Sequence, residues 1–218
     1  MRCSCLAALP AQLAATLRSQ RGVCYTVSEF IEGRSAAQLL AAAKGAGLDW
    51  RSVRHIARGV ASALQFAYQN SFVHRNVTPS NILIRESDQA VKLGDLALSK
   101  ALIGANAFDV TRTNSVLGQL SYLSPEQIEH APGQNHLADL YSLGASLYEL
   151  LTGHPPFHGD SASDVLRQIV SREPESIRTS RPDVPAELEA IILRLLAKRP
   201  QDRFATPMDL WSELNFRS

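Results

Sequence analysis

The stretch HLADLYSLGASLYELLTG, His136 to Gly153, is apolar on nearly every face of the helix it predicts. A helix that is apolar all round must be enclosed by other elements, because exposed apolar area forfeits about 25 cal/mol per Å². Whatever this chain folds into must therefore be built around that segment. Gly153 and the Pro155-Pro156 pair stop it sharply. At 218 residues the chain is long enough to surround such a helix, as one large domain or a domain with a short arm.

The surrounding elements are also written in the sequence. From Trp50 to Asn70, Val53, Ile56, Ala57, Val60, Leu64 and Ala67 recur at helical spacing behind a capping Asp49. SAAQLLAAAKGAG predicts a shorter helix ended by Gly45 and Gly47. Ser124-Pro125-Glu126-Gln127 has the form of a capping box with proline at N1. Three more amphipathic helices are predicted in SASDVLRQIVSR, PAELEAIILRLLAK and TPMDLWSEL, the last with Thr206 as N-cap. Strands are few and precede the midpoint: Val23 to Gly33, Asn81–Arg85, and Ala90–Leu93 across the turn ESDQ. Gly104 to Ser115 reads as an exposed loop, and residues 1–21 as an Ala-rich segment with no partner element. The class is α+β and mostly helical.

Composition excludes several functions. With 45% hydrophobic and 20% charged residues the chain is ordinary for a soluble globular protein. Twenty-two basic against 21 acidic residues leave +1, no footprint for nucleic acid or a membrane surface. No apolar run reaches the ~18 residues needed to span a bilayer. The apolar run after Arg2 is too short, and too interrupted by Pro10 and Gln12, for a signal peptide. Three cysteines, Cys3, Cys5 and Cys24, favour free thiols in a reducing, cytoplasmic setting, and Cys3-Ser4-Cys5 lacks the second pair a metal site needs.

In FVHRNVTPSNILI, Phe72 to Ile84, an apolar stretch enters His74-Arg75 and Asn81 closes a turn before the next strand. With GDLALSK, GQLSYLSPEQ, DLYSLG and RPQDRF it makes five motifs in order. They resemble the large, C-terminal lobe of a eukaryotic-type serine/threonine protein kinase of the bacterial kind, over roughly Val23 to Leu214. That resemblance implies a kinase-like fold over residues 22–218, with residues 1–21 outside it. It implies ATP and Mg²⁺ as cofactors and protein hydroxyls as acceptors. Asn81 and Asp95 would be the metal ligands, although a turn residue and a loop cap would read the same. Glu29 and Ile31 would offer their backbone to adenine, with Leu83 beneath the ring, although a strand end with a core leucine uses the same letters. His74, Arg75, Glu126, Asp139 and Arg203 take scaffold roles: Glu126 and Arg203 as a buried ion pair, Asp139 as acceptor for the catalytic-loop backbone, His74 beneath Leu96. Thr111, Thr113 and Ser115 are candidate phosphorylation sites facing Arg75.

The departures from the pattern fall on the chemistry. Asn76 replaces the proton-accepting aspartate, and Thr78 the lysine that neutralises the transferring phosphate. Gln119 replaces a threonine, and Leu96-Ala97 replaces Phe-Gly. No G-x-G-x-x-G loop or strand lysine precedes the hinge, so the small lobe is expected to be missing and the face near Tyr25, Val27 and Leu83 to need cover from the N-terminal segment LAALPAQLAATL, from a protein partner or from a lobe outside this sequence. Three readings follow: a kinase lobe with impaired catalysis, a pseudokinase-type binding module, or a fragment of a longer kinase.

Overall fold

A computed structural model describes residues 15–20, 23–95, 119–129 and 135–215. Two strands open it, β1 (Ala15–Gln20) and β2 (Val23–Ser28), paired antiparallel from Ala15 opposite Ser28 to Gln20 opposite Val23. Part of the Ala-rich stretch thus has a partner: hairpin pairing with the next strand in sequence needs only a short turn. β3 (Gly33–Ser35) leads into α1 (Ala36–Ala42) and α2 (Trp50–Gln69). β4 (Ile82–Arg85) and β5 (Val91–Leu93) complete an antiparallel sheet in the order β3-β4-β5.

The rest is helical: α3 (Pro125–Ile128), α4 (His136–Thr152), α5 (Ala162–Ser171), α6 (Ile177–Ser180), α7 (Ala186–Leu195), a 3₁₀ turn at Pro200–Asp202, and α8 (Pro207–Glu213). α4 is the all-round apolar segment and is buried over Ala138–Tyr148 and at Leu150 and Leu151. α2 and α7 pack on it, and α8 packs on α2. The approach of α7 is close enough that a Cβ on Gly144 would sit 2.7 Å from the Cβ of Leu195. Gly153 ends α4 at φ 89°, a left-handed cap that a side chain would strain.

Caps follow the sequence where side chains dictate them. Asp49 accepts from the N–H groups of Arg51 and Ser52, and Thr206 and Asp209 form a reciprocal box on α8. Two elements were not legible. β3 is a three-residue strand that exists because Ser35 pairs with Leu83, and α6 is a single turn. The strand predicted from Val23 to Gly33 breaks after Ser28. The Gly104 to Ser115 loop lies outside the described residues. Among those described, no helix is long and apolar enough to cross a membrane.

Candidate active site

Of three polar side chains on one face of α4, two hold the loop that follows α2 and one holds the segment before α3. Asp139 accepts from the backbone N–H of His74 at 2.7 Å and of Arg75 at 2.6 Å. Seven residues on, Ser146 donates to the carbonyl of Val77 at 3.0 Å. Between them Ser142 donates to the carbonyl of Tyr122 at 2.7 Å, and the Tyr122 hydroxyl donates to Glu149. The i, i+3, i+7 spacing places all three on the same stripe. Arg75 adopts φ 65°, a left-handed conformation that the Asp139 carboxylate stabilises by gathering two successive N–H groups.

His74 is fully buried. Its Nδ1 accepts from the N–H of Asn76, so the ring proton is on Nε2, which donates to the carbonyl of Gly94 at 3.0 Å. Burial lowers its pKa to about 4, so the ring is neutral at neutral pH. Asp139 lies equally deep, and burial pushes its carboxyl up to about 7 against the pull of its two N–H donors.

Asn81 receives its place from the same loop. Its N–H donates to the Thr78 carbonyl at 3.0 Å and its Nδ2 to the Asn76 carbonyl at 2.9 Å. With Nδ2 so committed, Oδ1 remains as an acceptor. The Asn81 carbonyl takes the N–H of Gly94 at 2.8 Å, which brings Asp95 alongside. Asp95 is exposed and has φ 64°. Asn81 and Asp95 thus lie on adjoining stretches of backbone, and a neutral oxygen and a carboxylate are ligand types that could serve a hard divalent cation. The side-chain amide of Asn76 takes no hydrogen bond among the described residues, and Thr78 is buried beside it.

Residues 12–213 match the profile of the protein kinase domain family. The chain belongs to that family. Among its relatives are the serine/threonine-protein kinases PknB of Mycobacterium tuberculosis (strain ATCC 25618 / H37Rv), 36% identical over 190 residues and 87% of this chain, and PrkC of Bacillus subtilis (strain 168), 35% identical over 198 residues and 91%. The chain spans 30% of the length of each. Similar solved structures include the kinase domain of M. tuberculosis PknI, with TM-score 0.71 and 26% identity over 95% of this chain and 72% of that one. Rad53 1–466 in complex with AMP-PNP gives TM-score 0.74 and 26% identity over 94% of this chain and 51% of that one. The fold is kinase-like, dominated by the helical lobe.

Within that kinase frame the remaining site residues fall in two places. After β2, Glu29 turns its carboxylate onto Arg85 at 3.3 Å and Lys92 at 3.6 Å, which fastens the segment to β4 and β5. Leu83 is half-buried opposite Ser35 and Lys92, Ile31 is half-buried, and Phe30 is 89% exposed. Far from these, Arg203 and Glu126 make a two-pronged pair at 2.6 and 2.9 Å, with side chains 0% and 13% exposed. Arg203 also donates to the carbonyls of Ala197, Leu137 and Lys198. Leu96, Ala97, Thr111, Thr113 and Ser115 lie outside the described residues. Sequence reasoning missed Ser142, Ser146 and Glu149. Their signal was the stripe they share with Asp139, masked by a helix whose positions between its ends are otherwise almost all apolar.

Proposed function

We propose that this chain is the helical lobe of a serine/threonine kinase that positions ATP and Mg²⁺ but transfers phosphate poorly, because Asn76 stands where the proton acceptor is needed. One observation carries the reading. The loop is fully assembled by Asp139, Ser146 and Asn81, while the side chain it presents is an amide without basicity. General-base assistance is worth about 10²–10⁴-fold, and an amide supplies none of it. Thr78 removes a second charge, the ammonium that would meet the phosphate. Asn81 and Asp95 would hold the metal, and Glu29, Ile31 and Leu83 would border the adenine. Bound there, Mg·ATP supplies the phosphoryl group and neutralises its charge; the chain's residues only place it.

We take residues 22–218 as this lobe, the residues before it as an arm, and the setting as cytoplasmic. Thr111, Thr113 and Ser115 remain candidate phosphorylation sites. A second reading is a pseudokinase-type binding module. Exposed Phe30 on the hinge favours it, since a protein partner or a small lobe would cover that face. The test is ATP-dependent labelling of casein by the full-length protein. The parent is expected near background, with N76D/T78K raising the rate by about 10²-fold or more. Labelling by the parent at a rate that N76D leaves unchanged would overturn the proposal.

A further inference from the structure

After the left-handed cap at Gly153 the chain reads His154-Pro155-Pro156-Phe157-His158. Each proline fixes its own φ and restricts the residue before it, so the two histidines are joined by stiff backbone. Pro156 and Phe157 are buried, while both histidines are exposed. The backbone at each histidine is also tied to a helix. Thr152 donates its hydroxyl to the His154 carbonyl at 2.8 Å, and Gln168 of α5 donates its side-chain amide to the His158 carbonyl at 2.9 Å. An anchored turn thus presents two imidazoles to solvent.

The two rings lie edge to face with centres 5.4 Å apart, the one pair of histidine rings in contact among the described residues. A ligating nitrogen sits about 2.0–2.1 Å from a zinc-like ion with its ring centre about 1.1 Å behind it, so two imidazoles at the tetrahedral angle have centres roughly 5 Å apart. The observed spacing therefore admits one shared ion with no movement of the backbone, only rotation of exposed rings. His154 Nδ1 donates to the Pro155 carbonyl at 3.2 Å, which fixes the tautomer and leaves the Nε2 lone pair for a ligand. The His158 ring makes no hydrogen bond among the described residues. By contrast His55, His74 and His136 each turn Nε2 to a backbone carbonyl.

We propose that His154 and His158 form a site for one late first-row divalent cation, of the zinc, nickel and copper class. Two imidazole nitrogens select that class over magnesium, which takes oxygen ligands. Among the described residues no group of three His, Cys, Asp or Glu side chains is placed to hold an ion, so water completes the coordination. Glu149 is taken by the Tyr122 hydroxyl. The site uses neither Asn81 nor Asp95 and does not depend on phosphoryl transfer.

The chain has six histidines, few enough for each ring Cε1–H signal to be followed by NMR and assigned by substitution. The experiment titrates the full chain with Ni²⁺ in excess Mg²⁺, since paramagnetic nickel broadens the signals of the rings that hold it. The expected result is that His154 and His158 broaden together before the other four, and that Zn²⁺ restores both. H158N should raise the Ni²⁺ concentration that broadens His154 by at least about tenfold, and H154N should do the same for His158. Both rings are exposed, so neither substitution disturbs the core, and unchanged signals from the buried His74 check this. Broadening of one ring without the other would overturn the proposal. So would a titration that the single variants leave unaltered, or one that excess Mg²⁺ abolishes.

Discussion

Burial shifts the pKa values of His74 and Asp139 in opposite directions, and the balance between the two is the most testable feature of the loop. His74 has its folded pKa lowered to about 4, so its burial stabilises above about pH 6.5 and that contribution fades as pH falls towards 4. Asp139 has its folded pKa raised to about 7, so burial favours its protonated form and stability falls as pH rises from the ordinary carboxylate range to 7. Between these limits the folded chain holds one proton on Asp139 and the unfolded chain one on His74. The two slopes cancel. The unfolding free energy of H74Q, read from urea titrations, is therefore expected to fall as pH rises from 4 to 7, by up to about 4 kcal/mol, while that of the parent stays flatter. Identical slopes in H74Q and the parent would refute this balance. At the other end of the lobe, E126Q leaves the Arg203 charge buried with only carbonyl partners. It is expected to lower unfolding free energy by about 3–5 kcal/mol in urea. Both sites were legible from the motif letters. The neutral state of His74 was not, because it follows from the depth of the loop rather than from its residue types.

Helix α4 organises the lobe through two kinds of surface. Its polar stripe fastens the loop, and its small residue lets α7 come close. Ser146→Ala removes the bond to the Val77 carbonyl and is expected to destabilise by about 1 kcal/mol. Gly144→Ala places a methyl against Leu195 and is expected to cost about 1–3 kcal/mol, because neither helix can retreat without opening the core. Both are measurable by urea unfolding, and a larger loss for S146A than for G144A would contradict this account. The long helices were legible because their periodicity is set by burial and recurs over several turns. β3 and α6 were not: each is about one turn or three residues, and each exists through contacts made by distant chain. Arg181 shows the same limit. It donates to the carbonyls of Ala46, Leu48 and Leu151, joining the α1–α2 connection to the end of α4, and no local pattern announces it.

For the whole molecule, the juxtaposition of Asn81 and Asp95 gives a binding prediction separate from catalysis. Mg²⁺ with a non-hydrolysable ATP analogue, at ten times its dissociation constant, is expected to raise the melting temperature by about 3–5 °C. Asp95→Asn should abolish the shift while leaving the unliganded melting temperature unchanged, since asparagine tolerates the φ of 64°. A shift retained in D95N would place the ligand elsewhere. The chemistry-bearing loop is held by α4 through the backbone of His74, Arg75 and Val77, not through the side chain at 76. Shape and reactivity are thus encoded by different letters, and the carboxylate can be lost without the loop losing its form. In hydrogen–deuterium exchange the His74 and Arg75 amides, each given to a carboxylate inside the core, should open only when α4 does. On that timescale the stretch from His74 to Val77 is no loop at all but a side branch of helix α4.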